Sequence, residues 1–126
     1  MITIRKIQKD DNEQVASVVR SVLIEHDVPK VGTAYADVSL DSMFETYSSP
    51  RSCYFVVEKE GRVVGGAGIS QLEMESETIC ELQKMYFLPE IRSLGFAKQI
   101  LEKSFQFTEQ QGFKSCYLET TKELWQ

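Results

Sequence analysis

Residues 85–98 read Met85-Tyr86-Phe87-Leu88-Pro89-Glu90-Ile91-Arg92-Ser93-Leu94-Gly95-Phe96-Ala97-Lys98. An extended segment enters a proline-marked turn, crosses a small-residue loop and opens an amphipathic helix. The first N–H groups of a helix have no partner within it, and the aligned peptide dipoles favour an anion beside them. Arg92, Gly95 and Ala97 stand at the spacing Arg-x-x-Gly-x-Ala. Without a Cβ at position 95 a phosphate can come close to the backbone. Ala97 keeps the first helical turn slim, and Arg92 can add a charge-assisted hydrogen bond. The chemistry on offer is a phosphate cradle, although six residues of this kind also suit an ordinary strand-to-helix turn.

Other reactive side chains offer less. His26 is the single histidine and falls near the end of a helical stretch, where its charged form suits the helix dipole. Cys53, Cys80 and Cys116 are odd in number and widely spaced, which fits neither a metal site nor a disulfide framework. They read as reduced thiols, Cys80 and Cys116 facing the core, in a cytoplasmic protein. Cys53 has no base nearby in sequence to activate it. Glu58-Lys59-Glu60 reads as a solvated hairpin tip.

The elements that must position this loop follow from periodicity. Residues 2–7 alternate as a strand. Asp10 and Asp11 suit a helix start, and Val15, Val18, Val19, Val22 and Leu23 recur at helical spacing until Pro29 and Gly32. Residues 31–40 read as loop, residues 41–47 as a short helix and residues 53–58 as a strand. Glu60-Gly61 makes a hairpin turn into a strand at 62–69. Gly65, Gly66 and Gly68 within it signal a bulge or a close approach.

After a polar connection at 73–77 comes a strand at 78–87. Simple alternation puts Ile79, Glu81, Gln83, Met85 and Phe87 on one face and Cys80, Leu82, Lys84 and Tyr86 on the other. A helix is expected over about 94–111, with Phe96, Ala97, Ile100, Leu101 and Phe105 inward and Gly112 as its stop. Residues 115–119 form a last strand, and Thr120 or Thr121 with Glu123 suits a further helix start. The order β-α-α-β-β-β-α-β predicts one domain, residues 1–126, with a mixed sheet covered by helices on both faces. With 42% hydrophobic and 26% charged residues the chain has an ordinary globular balance. A net charge of −5 argues against nucleic acid as a partner, and no apolar run reaches the about 18 residues of a membrane span.

From 81 to 120 the chain resembles the GNAT superfamily, the acetyl-coenzyme-A-dependent N-acetyltransferases. Their Gln/Arg-x-x-Gly-x-Gly/Ala signature is matched by Arg92-Ser93-Leu94-Gly95-Phe96-Ala97, after Glu81-Leu82-Gln83-Lys84-Met85-Tyr86-Phe87 and before Tyr117-Leu118-Glu119-Thr120. The resemblance implies a GNAT-type mixed sheet and acetyl-CoA as cosubstrate, without a metal. Met85, Tyr86 and Phe87 would run beside the pantetheine arm like an added strand, next to a bulge. Arg92, Ser93, Leu94, Gly95, Phe96, Ala97 and Lys98 would wrap the diphosphate. Glu81, eleven residues before the signature arginine, would be the base for a small-molecule or peptide amine acceptor, or else a plain strand carboxylate. Residues 32–35, with Tyr35, fall where the family's acceptor loops lie.

The resemblance also carries a departure. Family members add a helix and two strands after the Tyr117 strand, and that helix often bears a tyrosine acid. Here the sequence reaches Gln126 first, with Leu124 and Trp125 left to pack. The expectation is a fragment, a short form, or a chain completed by its partner in a homodimer. A catalytically weak acyl-CoA-binding module or a structural interaction domain stands as the alternative to a transferase.

Overall fold

Alternation sets the strands. Ile2 and Ile4 of β1 (Ile2–Lys6) turn to one side of the sheet and Ile7, just past its end, to the other. The computed structural model describes residues 1–27, 37–72 and 77–118. The expected acceptor loop at 32–35, most of the polar connection at 73–77, and the expected helix start and apolar pair at 120–125 lie outside the described residues.

Strand β1 pairs with β2 (Cys53–Lys59), β2 with β3 (Arg62–Gln71) and β3 with β4 (Ile79–Phe87), all antiparallel. Glu60 and Gly61 both have positive φ (51° and 79°), as the expected two-residue hairpin turn requires. Strand β5 (Ser115–Leu118) then joins β4 in parallel, giving the order β1-β2-β3-β4-β5. A parallel neighbour needs a crossover, supplied by α3 (Phe96–Gln110).

Helix α1 (Asn12–Glu25) buries Val15, Val18, Val19, Val22 and Leu23, the stripe expected from the sequence. Each such burial is worth about 1.5–3 kcal/mol, against a propensity deficit of a few tenths for each β-branched residue, so packing decides. Together with α2 (Met43–Thr46), α1 covers one face of the sheet over Leu40, Tyr47, Tyr54, Val56 and Tyr86. Helix α3 covers the other over Val57, Val64, Ile69, Leu82 and Ile91. The mixed sheet with helices on both faces is thus the observed architecture.

Two local expectations need correction. The inward stripe of α3 is Ile100, Ser104, Phe107 and Thr108, with Phe96 and Leu101 half-buried. Ala97 is exposed and Phe105 is 44% exposed, because 105 stands five residues from Ile100 and so well off its face. Ser104 is tolerated inside because its hydroxyl donates to the Ile100 carbonyl at 2.8 Å.

Asp11 makes no cap bond to α1. Its carboxylate turns inward, accepting from Arg5 Nη1 and Nη2 at 2.7 and 3.0 Å and from the Gln8 N–H at 2.7 Å, while Arg5 also reaches Glu58. Burial works against the Asp11 charge, but the Arg5 fork and the Gln8 N–H outweigh it and hold the pKa below its ordinary value. A carboxyl with a depressed folded-state pKa contributes stability above its unfolded value of about 3.9, and that contribution is lost as pH falls through the folded value. Asp11→Asn should therefore cost about 1–3 kcal/mol at pH 7, since it removes the buried charge that the Arg5 fork grips and leaves Glu58 as the carboxylate partner of Arg5. The deficit relative to wild type should shrink below pH 4. Urea melts of both proteins from pH 3 to 7 check it, and a pH-independent difference would refute the assignment.

Candidate active site

Strand β4 carries the chemistry, and its path is not the simple alternation expected. Lys84 has φ +52°, and the register with β3 slips between Gly66 (opposite Tyr86) and Gly68 (opposite Gln83). Lys84 and Met85 thus oppose Ala67 alone, which is a β-bulge. The bulge reverses the phase of the strand. Cys80 and Leu82 share the α3 side with Met85 and Phe87, whereas Tyr86 lies on the α1 side. Glu81 and Gln83 accordingly share a face with Tyr86, and the expectation that Met85 lies beside them does not hold.

The glycines of β3 point to a bulge or a close approach, and β3 has both. Its register with β2 shifts so that Val64 is extra between Val63 (opposite Glu58) and Gly65 (opposite Val57). At the shift against β4 the extra residue is on β4, and there Gly66 and Gly68 make a slot for two tyrosine rings. A Cβ on Gly68 would stand 2.7 Å from Tyr47 Cε1 and 2.7 Å from Tyr54 Cδ2, and one on Gly66 would stand 2.5 Å from Tyr54 Cε1. The two rings lie against each other at 5.3 Å between centroids. Through this slot both hydroxyls reach β4. Tyr54 donates to the Lys84 carbonyl at 2.8 Å, which pins the bulge. Tyr47 donates to Gln83 Oε1 at 2.8 Å, and Gln83 Nε2 donates to Glu81 Oε1 at 2.8 Å. Glu81 is half-buried and held as an acceptor by a fixed amide. Neither Tyr47, Tyr54 nor Gln83 was singled out from the sequence; the three glycines, read as room for rings, were the available signal.

Beyond the bulge, β4 keeps β3 alongside to the end, Phe87 facing Gly65. Its pairing with β5 runs only from Ile79 opposite Ser115 to Leu82 opposite Leu118, so among the described residues β5 does not follow the second half of β4. Among the described residues, all four of β5 thus lie along the first half of β4.

At the end of β4 a one-turn helix at Pro89–Ile91 leads to the loop. Ser93 (φ +64°) and Gly95 (φ +85°) are both left-handed, and Gly95 is the N-cap of α3. No side chain caps this helix. Among the described residues, no protein acceptor with hydrogen-bond geometry is found for the N–H groups of Ser93, Leu94, Gly95, Phe96, Ala97 and Lys98. Nothing lies within 4 Å of where a Cβ on Gly95 would stand, so the space beside these donors is open. Six N–H groups without a protein acceptor, beside open space, fit a diphosphate.

Arg92 is differently placed. Its own N–H donates to the Pro89 carbonyl at 3.2 Å. Its Nε donates to the Phe87 carbonyl at 3.0 Å, and Nη1 and Nη2 grip Glu25 Oε2 and Oε1 at 2.7 Å each. The guanidinium that was expected to face phosphate is engaged by the end of α1 and the end of β4.

The other candidates are quiet. His26 is the C-cap residue of α1. Burial raises the Cys53 and Cys80 thiols to about 12, so neither is a thiolate at neutral pH. Cys116 is only half-buried against the same core. Among the described residues no group of three or more His, Cys, Asp or Glu could hold a metal ion, and no helix is long and apolar enough to cross a membrane.

Comparison with known proteins places this geometry. The model of the acetyltransferase (GNAT) family matches residues 17–124. The chain is 46% identical over 118 residues to the uncharacterized N-acetyltransferase YjgM of Escherichia coli K12, covering 93% of this chain and 71% of that protein. A GNAT acetyltransferase from Staphylococcus aureus Mu50 superposes with a TM-score of 0.84 at 18% identity, over 98% of this chain and 75% of the other. A predicted acetyltransferase from Clostridium acetobutylicum, solved with acetyl-CoA, gives 0.80 at 18% identity over 99% and 84%. The aminoglycoside enzyme AAC(6')-Iy, in complex with the bisubstrate analogue CoA-S-monomethyl-acetylneamine, gives 0.73 at 18% over 98% and 82%. By its family match, by its close relative and by its fold, this chain belongs to the GNAT family of acetyltransferase enzymes.

Proposed function

We propose that the chain transfers an acetyl group from acetyl-CoA to a primary amine by direct attack, in the cytoplasm. The observation that carries the reading is the run of six N–H groups from Ser93 to Lys98, without acceptors among the described residues, in a loop with open space beside Gly95. That the structurally similar Clostridium protein holds acetyl-CoA supports the choice of ligand. When bound, acetyl-CoA supplies an activated acetyl thioester.

The residues of the chain divide the remaining work. Ser93, Leu94, Gly95, Phe96, Ala97 and Lys98 hold the diphosphate with backbone N–H groups at the positive end of α3, and Arg92 opens that loop. Met85, Tyr86 and Phe87 lie along the pantetheine arm, and an N–H there polarises the acetyl carbonyl. Glu81, aimed by Gln83 and Tyr47, takes the proton of the amine, directly or through water. The acceptor is a small-molecule or peptide amine, as the acetylneamine analogue on AAC(6')-Iy illustrates for another member of the fold.

Calorimetric titration with acetyl-CoA tests the reading. Saturable binding and a rise in Tm with ligand are expected. Gly95→Val puts a branched side chain on a left-handed residue and into the open space beside it. It should weaken acetyl-CoA binding by about 100-fold or more while costing about 1–2 kcal/mol of stability. Absence of heat and of any thermal shift in the wild type at millimolar ligand would overturn the proposal.

A further inference from the structure

Two of the three residues from Ser93 to Gly95 are left-handed, and one of them is not glycine. Such a loop is costly to hold, and something must over-determine it. Burial does not, because Ser93, Leu94 and Gly95 are all exposed. Among the described residues, apart from the helical bond from Gln99 N–H to the Gly95 carbonyl, the polar ties of residues 92–95 to the protein are those of Arg92. Its fork meets the Glu25 carboxylate with two parallel bonds, and its Nε fixes the Phe87 carbonyl at the end of β4. A bidentate pair of this kind fixes orientation as well as adding energy.

We propose that Glu25, on the last turn of α1, is a positioning residue for the diphosphate cradle: through Arg92 it ties α1 to the β4 end and sets the loop from which the N–H groups of Ser93 to Lys98 project. The inference rests on the diphosphate reading above and adds to it a residue 67 positions from Arg92 that acts through that side chain. Arg92 in this scheme is a strut. The scheme has a direct competitor, in which Glu25 withholds Arg92 from the ligand until the phosphates displace it. The two predict opposite signs.

As both side chains are more than a third exposed, the pair adds little to global stability. Glu25→Gln should leave Tm unchanged within a degree or two. As a strut, its loss should weaken acetyl-CoA binding by about tenfold. Binding of S-acetylpantetheine, which has the acetyl thioester and no diphosphate, should not change. Arg92→Lys, which keeps the charge and loses the fork, should weaken acetyl-CoA binding comparably, and Glu25→Gln added to Arg92→Lys should cost little more. Calorimetry on the four proteins with both ligands reads all of this. Tighter acetyl-CoA binding by Glu25→Gln would overturn the proposal in favour of the competitor. Unchanged binding, or equal loss for both ligands, would overturn it outright. Failure of the wild type to bind acetyl-CoA would remove the diphosphate reading and this inference together, whereas normal wild-type binding with indifferent variants would remove the inference alone.

Discussion

Glu81→Gln should lower acetyl transfer to a primary amine by about two orders of magnitude and leave acetyl-CoA affinity within about twofold of wild type. The substitution is isosteric, and its new amide still offers an oxygen to Gln83 Nε2, so the bonded chain from Tyr47 through Gln83 can persist. What disappears is the ability to accept a proton. An amine is a cation at neutral pH and does not attack a thioester until that proton leaves, so the loss should fall on kcat and on kcat/KM for the amine together. Tyr47→Phe is the companion variant. It keeps the ring that fills the slot beside Gly68 and deletes the hydroxyl that orients Gln83. A drop of about tenfold is expected from a base left imperfectly aimed. Thiol release from acetyl-CoA with a panel of amines (spermidine, glucosamine, lysine methyl ester) measures both. If Glu81→Gln retains activity within about threefold with every amine the wild type accepts, Glu81 is not the base.

The parts of this site legible in the sequence are those governed by local rules. Gly95 marks the small-residue loop before a helix, Gly112 ends that helix, and the valine stripe of α1 repeats at 3.6 residues; each rule concerns neighbours within about eight positions. The bulge at Lys84 is of another kind. Ile-Cys-Glu-Leu-Gln-Lys-Met-Tyr-Phe at 79–87 mixes apolar and polar residues in both phases, so alternation alone cannot reveal that the phase flips midway. The flip is held by the Tyr54 hydroxyl on the Lys84 carbonyl, from a strand thirty residues earlier.

The same limit applies to Arg92, whose motif position suggested phosphate while its fork found Glu25. Nothing near either residue in sequence announces the other. On α3, hydrophobicity favours Phe105 for the core, but the helical period favours Ser104, and a hydroxyl that can bond its own backbone makes the polar choice cheap.

The slot that aims Glu81 can be tested without touching a polar group. Gly68→Ala adds one methyl group, and its Cβ would stand 2.7 Å from Tyr47 Cε1, 2.8 Å from Tyr47 Cζ and 2.7 Å from Tyr54 Cδ2. These atoms belong to rigid rings. Tyr47 is 5% and Tyr54 2% exposed, so neither ring can swing to solvent without opening the core between α1 and the sheet. Overpacking of a dense core costs about 1–3 kcal/mol, and two rings displaced at once put this site at the upper end. In a domain of this length, about 3 kcal/mol corresponds to a fall in Tm of roughly 10 °C. The second consequence is functional. Rings pushed away from β3 carry their hydroxyls off Gln83 and off the Lys84 carbonyl, so Glu81 loses its aim and the bulge its anchor in one step. Gly68→Ala should therefore lose turnover by more than Tyr47→Phe does, even at temperatures where it remains fully folded. Thermal melts and initial rates at 10 °C separate the two effects. A variant as stable as wild type, or one destabilised yet fully active when folded, would show that the tyrosine pair packs beside β4 without governing it.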